Sequence, residues 1–186
     1  SCRLFTELEP LNLGLAVYDG FLCHDGGMKE RTLYPRFGKT WEDHKNDLET
    51  KVLDPSKNII PGTLEGCLVK VSDTMSYLGR DIEDAINIGI IERSQVPKTI
   101  LGTHNKEILS TLAQDLIKNS YGKDYIAISE EASEALSVIR KFNFSNIYVH
   151  PQLKAESSRI KRGYRFLFEE LLNDFEKNGE NSYLFR

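Results

Sequence analysis

Residues 63–85 read Thr63-Leu64-Glu65-Gly66-Cys67-Leu68-Val69-Lys70-Val71-Ser72-Asp73-Thr74-Met75-Ser76-Tyr77-Leu78-Gly79-Arg80-Asp81-Ile82-Glu83-Asp84-Ala85. A helix turns by about 100° per residue. On such a wheel Leu64, Leu68, Val71, Met75, Leu78 and Ile82 gather on one side. Their spacing is that of a helix burying a single apolar stripe. Asp73, Tyr77 and Asp81 follow one another at i, i+4 and i+8 on the other side, flanked by Lys70, Arg80 and Asp84. The spacing predicts one long helix over 64–88, introduced by Pro61-Gly62-Thr63. A solvated face carrying ordinary charge pairs, Lys70 with Asp73 or Asp81, accounts for the polar side. Two features point beyond that. Asp73 is a poor helix former placed mid-helix. Tyr77 sets a donor and a flat apolar ring between two carboxylates, a combination suited to a sugar.

Outward from this helix, the prolines fall mostly between periodic segments. Residues 12–22 are apolar at most positions and predict a largely buried helix, and residues 24–39, with Gly26, Gly27, Pro35 and Gly38, a long loop. Thr40 is placed to cap a helix over 41–52, with Glu42 and Asp43 in its first turn. On the C-terminal side Thr103 introduces a helix to about residue 119, and residues 121–128 have an extended alternative. Ser129-Glu130-Glu131 opens a helix to about 140; residues 142–149 read as aromatic and irregular; the last helix is expected over 158–177. The reading is all-α with at most a scrap of strand.

The chain has 186 residues, 40% hydrophobic and 28% charged, with a net charge of −4. That is enough chain to bury a core without staples. The weak acidity argues against a nucleic-acid surface as the main function. Cys2, Cys23 and Cys67 match neither a zinc pattern nor a disulfide framework, so the expected setting is the reducing cytoplasm. No apolar run reaches the roughly 20 residues of a membrane span, and no phosphate-binding loop, dinucleotide fingerprint or nucleophile elbow is present. Arg159, Lys161, Arg162, Tyr164, Arg165, Phe166 and Phe168 interleave bases and aromatics, either as the solvated edge of an amphipathic helix or as a polyanion contact.

The stretch 63–85 resembles a signature of HD-domain deoxynucleoside-triphosphate triphosphohydrolases. A second stretch agrees: Leu11-Asn12-Leu13-Gly14-Leu15-Ala16-Val17-Tyr18-Asp19-Gly20-Phe21-Leu22-Cys23-His24-Asp25-Gly26-Gly27 is similar to the family helix that ends in a histidine-bearing turn. Phe142-Asn143-Phe144-Ser145-Asn146-Ile147-Tyr148 matches a weaker patch nearer the family's C-terminus. The resemblance implies that Asp73 is the last aspartate of a metal set, that Tyr77 and Asp81 contact the deoxyribose, and that His24 faces the nucleotide. It implies hydrolysis of a dNTP, dGTP-like, to deoxynucleoside and triphosphate with a divalent metal (Mn, Mg, Fe, Ni or Zn), and assembly as a homo-oligomer.

The departure lies in the metal set. The family's first histidine and its His-Asp pair precede the segment with which this chain begins. The adjacent His24-Asp25 matches the later helix–turn rather than that pair. His44 reads as solvent-facing, while His104 and His150 lack carboxylate or cysteine partners at metal-ligand spacing. One aspartate does not hold a metal tightly, so the metal is not expected to stay on this chain alone. The expected architecture is an incomplete HD-like helical bundle over 1–95 with a helical region over 96–186, exposing apolar surface where further helices would pack. A non-catalytic nucleotide-binding or assembly module is the competing reading.

Overall fold

The computed structural model describes residues 11–25 and 30–185, so Gly26 and Gly27 of the expected loop lie outside the described residues. They divide into two compact units, one ending at Asn143 and the other beginning at Phe144. In the first unit α1 spans Leu15–Cys23, α2 Trp41–Leu53, α3 Leu64–Asn87, α4 Asn105–Ser120 and α5 Glu130–Asn143. The only regular strands among the described residues are the two-residue β1 (Thr32–Leu33) and β2 (Ile126–Ala127), paired antiparallel with Thr32 opposite Ala127. The fold is all-α. No described helix is long and apolar enough to cross a membrane.

Helix α3 is the hub, packing against α1, α4 and α5. Its N-terminus is capped by Thr63, whose hydroxyl accepts from the Gly66 amide at 3.0 Å. Val71, Met75, Leu78 and Ile82 are buried as the periodicity predicts. The first turns depart from it: Leu64 is half-buried and Leu68 is 42% exposed, while Gly66, Cys67, Lys70 and Thr74 are buried. Helix α1 packs against α3, and Lys70, in the buried sector, reaches the carbonyl of its last residue, Cys23. A Cβ on Gly66 would lie 2.8 Å from Pro61 Cβ, so the chain entering α3 passes tightly over this residue. Leu68 and Val69 are left exposed, and Val69 shares a cleft with exposed Val17 of α1.

Helix α2 starts where the cap predicts. Thr40 and Asp43 form a reciprocal capping box. His44 does not face solvent; it is buried against Tyr18 and Trp41, with ring centroids 6.3 and 6.1 Å away. At the other end of the unit, α4 meets α3 closely, because a Cβ on Gly79 would come within 2.9 Å of the Asn105 Cα. The N-cap of α4 is His104 rather than Thr103, with Glu107 completing its capping box. Asn143, fully buried at the end of α5, donates from Nδ2 to the Leu78 carbonyl at 2.9 Å.

In the second unit residues Phe144–Tyr148 form one π-helical turn rather than an irregular stretch. Helix α6 then spans Pro151–Asn178 and has no buried residue. It starts seven residues before the expected 158 because Pro151 stands in its first turn, where a fixed φ suits a helix and no amide is needed. The tail folds back onto α6, with Ser182 Oγ and the Tyr183 amide donating to Asp174 at 2.6 and 2.7 Å.

Candidate nucleotide site on α3

Because α3 turns its apolar side into the core, its remaining face is held in a fixed orientation. Asp73 and Tyr77 are exposed on that face, Tyr77 to 39%, and Asp81 is half-buried one further turn along. The rise of about 1.5 Å per residue spreads the three over about 12 Å of helix, the reach of a nucleoside with its first phosphates. Ser76, exposed between them, donates to the Asp73 carbonyl at 2.8 Å.

Lys70 does not pair with Asp73 or Asp81 as a flanking surface charge. It is 1% exposed, and its ammonium donates to the carbonyls of Cys23 and Asp25, both at 2.6 Å. Burial pushes its pKa below the ordinary lysine value. The two carbonyls lie at the end of α1, where the helix dipole is negative, and they bracket His24. Lys70 therefore fastens the His24 turn beside the N-terminal end of the Asp73–Tyr77–Asp81 face. A second tie runs from Lys51 of α2 to the Asp25 carboxylate at 2.8 Å. His24 is half-buried, with Nδ1 2.8 Å from the Phe21 carbonyl. A carbonyl only accepts, so this contact places the proton on Nδ1 and leaves a lone pair on Nε2 in the neutral ring.

Under this turn lies a buried charge cluster. Lys39 Nζ pairs with Asp19 at 2.6 Å and with Asp47 at 2.8 Å. Asp19 also accepts from the Gly62 amide at 2.6 Å and from Cys23 Sγ at 3.4 Å. Burial opposes the Lys39 charge, but hydrogen bonds to Asp19 and Asp47 outweigh it and raise its pKa. The cluster joins α1, the segment before α2 and the entry to α3, three pieces separated along the chain. Two clefts open at the same junction. One, of about 350 Å³, is apolar and lined by Val17, Phe21, Gly66 and Val69 among others. The other, of about 270 Å³, is lined by Asp19, Lys39, Gly62 and Thr63. Neither is lined by Asp73, Tyr77 or Asp81.

Among the described residues no three His, Cys, Asp or Glu side chains converge as a metal site would require. Asp73 stands on an exposed face and belongs to no such group among the described residues, so a divalent metal does not fit these residues by themselves. His104, at its 3.3 Å distance from Glu107, serves the α4 cap instead.

The helix carrying the aspartates and the helix ending in His24 are thus joined into one surface, and comparison with known proteins places that surface in context. The chain is similar to deoxyguanosinetriphosphate triphosphohydrolase-like proteins. It is 32% identical over 141 residues to the one from Caldanaerobacter subterraneus subsp. tengcongensis, covering 74% of this chain and 40% of the relative. It is 29% identical over 190 residues to that of Clostridium tetani, covering 96% and 46%. For Clostridium perfringens the values are 31% over 196 residues, covering 94% and 55%. The chain spans about half the length of the curated relatives it matches. No family model matches it, and no solved structure does. The relatives support the triphosphohydrolase family to which the 63–85 motif points.

Sequence reasoning missed Lys70, Lys39 and Asp19. Each had a signal. Lys70 sits among Cys67, Val71 and Thr74, which share its side of the wheel, and Asp19 is the one acid in the apolar run 12–22.

Proposed function

We propose that this chain supplies the sugar-binding face and one metal ligand of a metal-dependent dNTP triphosphohydrolase of the HD type, acting on a dGTP-like substrate. One observation carries the reading: Asp73, Tyr77 and Asp81 line the outward face of a helix whose other face is core, and Lys70 fastens the His24 turn beside them. The names of the relatives supply the reaction class.

In this reading Asp73 is a metal ligand, and the ligands that complete the site come from outside the described residues. Tyr77 and Asp81 hold the deoxyribose. The phenol ring packs on the sugar where ribose carries its 2′-hydroxyl, and the carboxylate accepts from the 3′-hydroxyl. His24, with Nδ1–H committed to the Phe21 carbonyl, offers Nε2 as an acceptor and, once protonated, as a donor to phosphate. Water adds to the α-phosphorus, the bond to the 5′-oxygen breaks, and that oxygen leaves with a proton as the deoxynucleoside. Inorganic triphosphate is the other product. Binding energy spent on a sugar distant from phosphorus serves to orient the reacting groups. Buried, unpaired Cys23 and Cys67 suit a reducing, cytoplasmic setting.

The second reading is a nucleotide-binding or assembly module without catalysis, favoured by the lack of three convergent ligands among the described residues. Metal content separates the two, since a complete site purifies with stoichiometric metal and the module does not. The sugar assignment is tested by titrating dGTP and GTP into isotope-labelled protein. Resonances of Tyr77 and its neighbours shift with dGTP more than with GTP, and Asp81→Ala, which removes the acceptor of the 3′-hydroxyl, weakens the response to dGTP. Shifts confined to other regions would overturn the assignment.

A further inference from the structure

Residues 154–170 of α6 are all exposed. The returning tail is tied to the second half of the helix, at Asp174. In the first half, residues 157–168 hold four basic side chains, Arg159, Lys161, Arg162 and Arg165, and no acid, in a chain whose net charge is −4. Among the described residues only Arg159 of these four meets a carboxylate, that of Glu156 at 3.7 Å. Glu169 and Glu170 end the basic stretch. The same stretch turns three aromatic rings to water, with Tyr164 72%, Phe166 65% and Phe168 68% exposed. Rings displayed among cations that the chain itself leaves unneutralised mark a surface for a polyanion with flat apolar groups.

We propose that this half of α6 binds single-stranded nucleic acid, the phosphates on its basic side chains and the nucleobases on its rings. On a wheel of about 100° per residue, Tyr164 and Phe168 stand on one side with Lys161 and Arg165 beside them. Phe166 stands on the other side, between Arg159 and Arg162. Each ring thus has a cation next to it. A single strand supplies both partners at every nucleotide, a charged phosphate and a base with free faces. Tyr164 and Phe168 are one turn apart, about 6 Å along the axis, close to the step between neighbouring nucleotides in a stretched strand. A duplex offers the phosphates but keeps its bases stacked on one another. A flat anionic membrane takes up one side of a helix and would leave Phe166, with Arg159 and Arg162, in water. A flexible strand reaches both sides. Contacts of this kind use charge and stacking rather than base identity, so the site tolerates any sequence. It is independent of the catalytic reading, since α6 belongs to the second unit and the Asp73–Tyr77–Asp81 face to the first.

Fluorescence anisotropy of a labelled oligothymidylate, titrated with the full chain, tests the assignment. The strand binds, and a duplex of the same length binds more weakly. The logarithm of the affinity falls linearly with that of the salt concentration, and Arg162→Gln lowers the slope by about 0.7, the value of one phosphate contact. Lys118→Gln on α4, an equal loss of charge elsewhere, leaves the affinity unchanged. Phe168→Leu keeps an apolar side chain but loses the ring, and weakens binding about 5-fold or more; Phe168→Trp restores it. All these positions are exposed, so each variant keeps the helix content of wild type, as circular dichroism checks. A strand that does not bind overturns the proposal. So does a duplex bound as tightly, a Phe168→Leu or Arg162→Gln chain that behaves as wild type, or retention on phosphatidylserine vesicles in place of the strand.

Discussion

The ammonium of Lys70, in the first half of α3, lies 2.6 Å from the carbonyl oxygen of Cys23, the last residue of α1, and 2.6 Å from that of Asp25. One side chain thereby closes the end of one helix from the face of another. Lys70→Met keeps most of the stem's packing and removes both donors. Each carbonyl left without a partner costs about 1–3 kcal/mol, so the variant is expected to lose about 2–6 kcal/mol. Urea denaturation of both proteins measures it. A loss below about 0.5 kcal/mol would show that water reaches the two carbonyls and that the tie is dispensable.

Gly79 is the corresponding point at the other end of the unit. Glycine within a helix costs about 1 kcal/mol relative to alanine, so Gly79→Ala would stabilise an isolated α3. In the folded chain the added Cβ falls 2.6 Å from Asn105 Oδ1 and 2.9 Å from its Cα. Backbone at that distance has to move. The expected outcome is a net destabilisation of about 1–3 kcal/mol with a lowered melting temperature. A variant more stable than wild type would mean that α4 retreats at no cost.

His44 gives the fold an acid sensitivity. Burial lowers its pKa below 6.5, against the opposing attraction of Asp19 and Asp47 and with the repulsion of Lys39. The unfolded chain therefore binds the proton more readily than the folded one. Stability is complete above pH 6.5 and is lost as pH falls through the lowered folded value. His44→Phe, which keeps a ring beside Tyr18 and Trp41, should flatten that decline. Melting temperatures of both proteins between pH 7.5 and about pH 5 decide it; parallel curves would assign the decline to other groups.

What the sequence disclosed and what it withheld divide along physical lines. The α2 start was legible because a capping box is local, Thr40 and Asp43 being three residues apart. The long α3 and its core positions Val71 to Ile82 were legible because periodicity persists over several turns. Leu68, Lys70 and His44 went the other way. Which sector of a helix is buried in its first turns depends on the neighbour, and α1 arrives at an angle that no single-helix pattern contains. Two-residue strands such as Thr32–Leu33 have no periodicity to read. The Asp19–Lys39–Gly62 cluster joins residues 20 and 43 positions apart, beyond the reach of local rules. Of the candidate site, the face bearing Asp73, Tyr77 and Asp81 was visible in the spacing, whereas the tie holding His24 beside it needed three dimensions.

Cys23 and Cys67 should be inert in the folded chain. Both are fully buried. Burial, reinforced by Asp19, pushes Cys23 to about 12, and burial pushes Cys67 to about 11. Reactivity requires the thiolate, so at pH 8 neither should be modified by a thiol reagent until the protein unfolds. Mass mapping after timed exposure, with and without urea, checks this. Rapid labelling of Cys23 without denaturant would show that the α1–α3 junction opens.

The assignment of the α3 face is tested most directly by triphosphate release from dGTP with added Mn²⁺. The comparison is between Asp73→Ala and its parent, in the chain carried at the full length of its relatives. Release by the parent, with a loss of about 100-fold or more in the variant, is the expected result. Equal release from both proteins would contradict it, because the outward aspartate of α3 would then have no part in the chemistry.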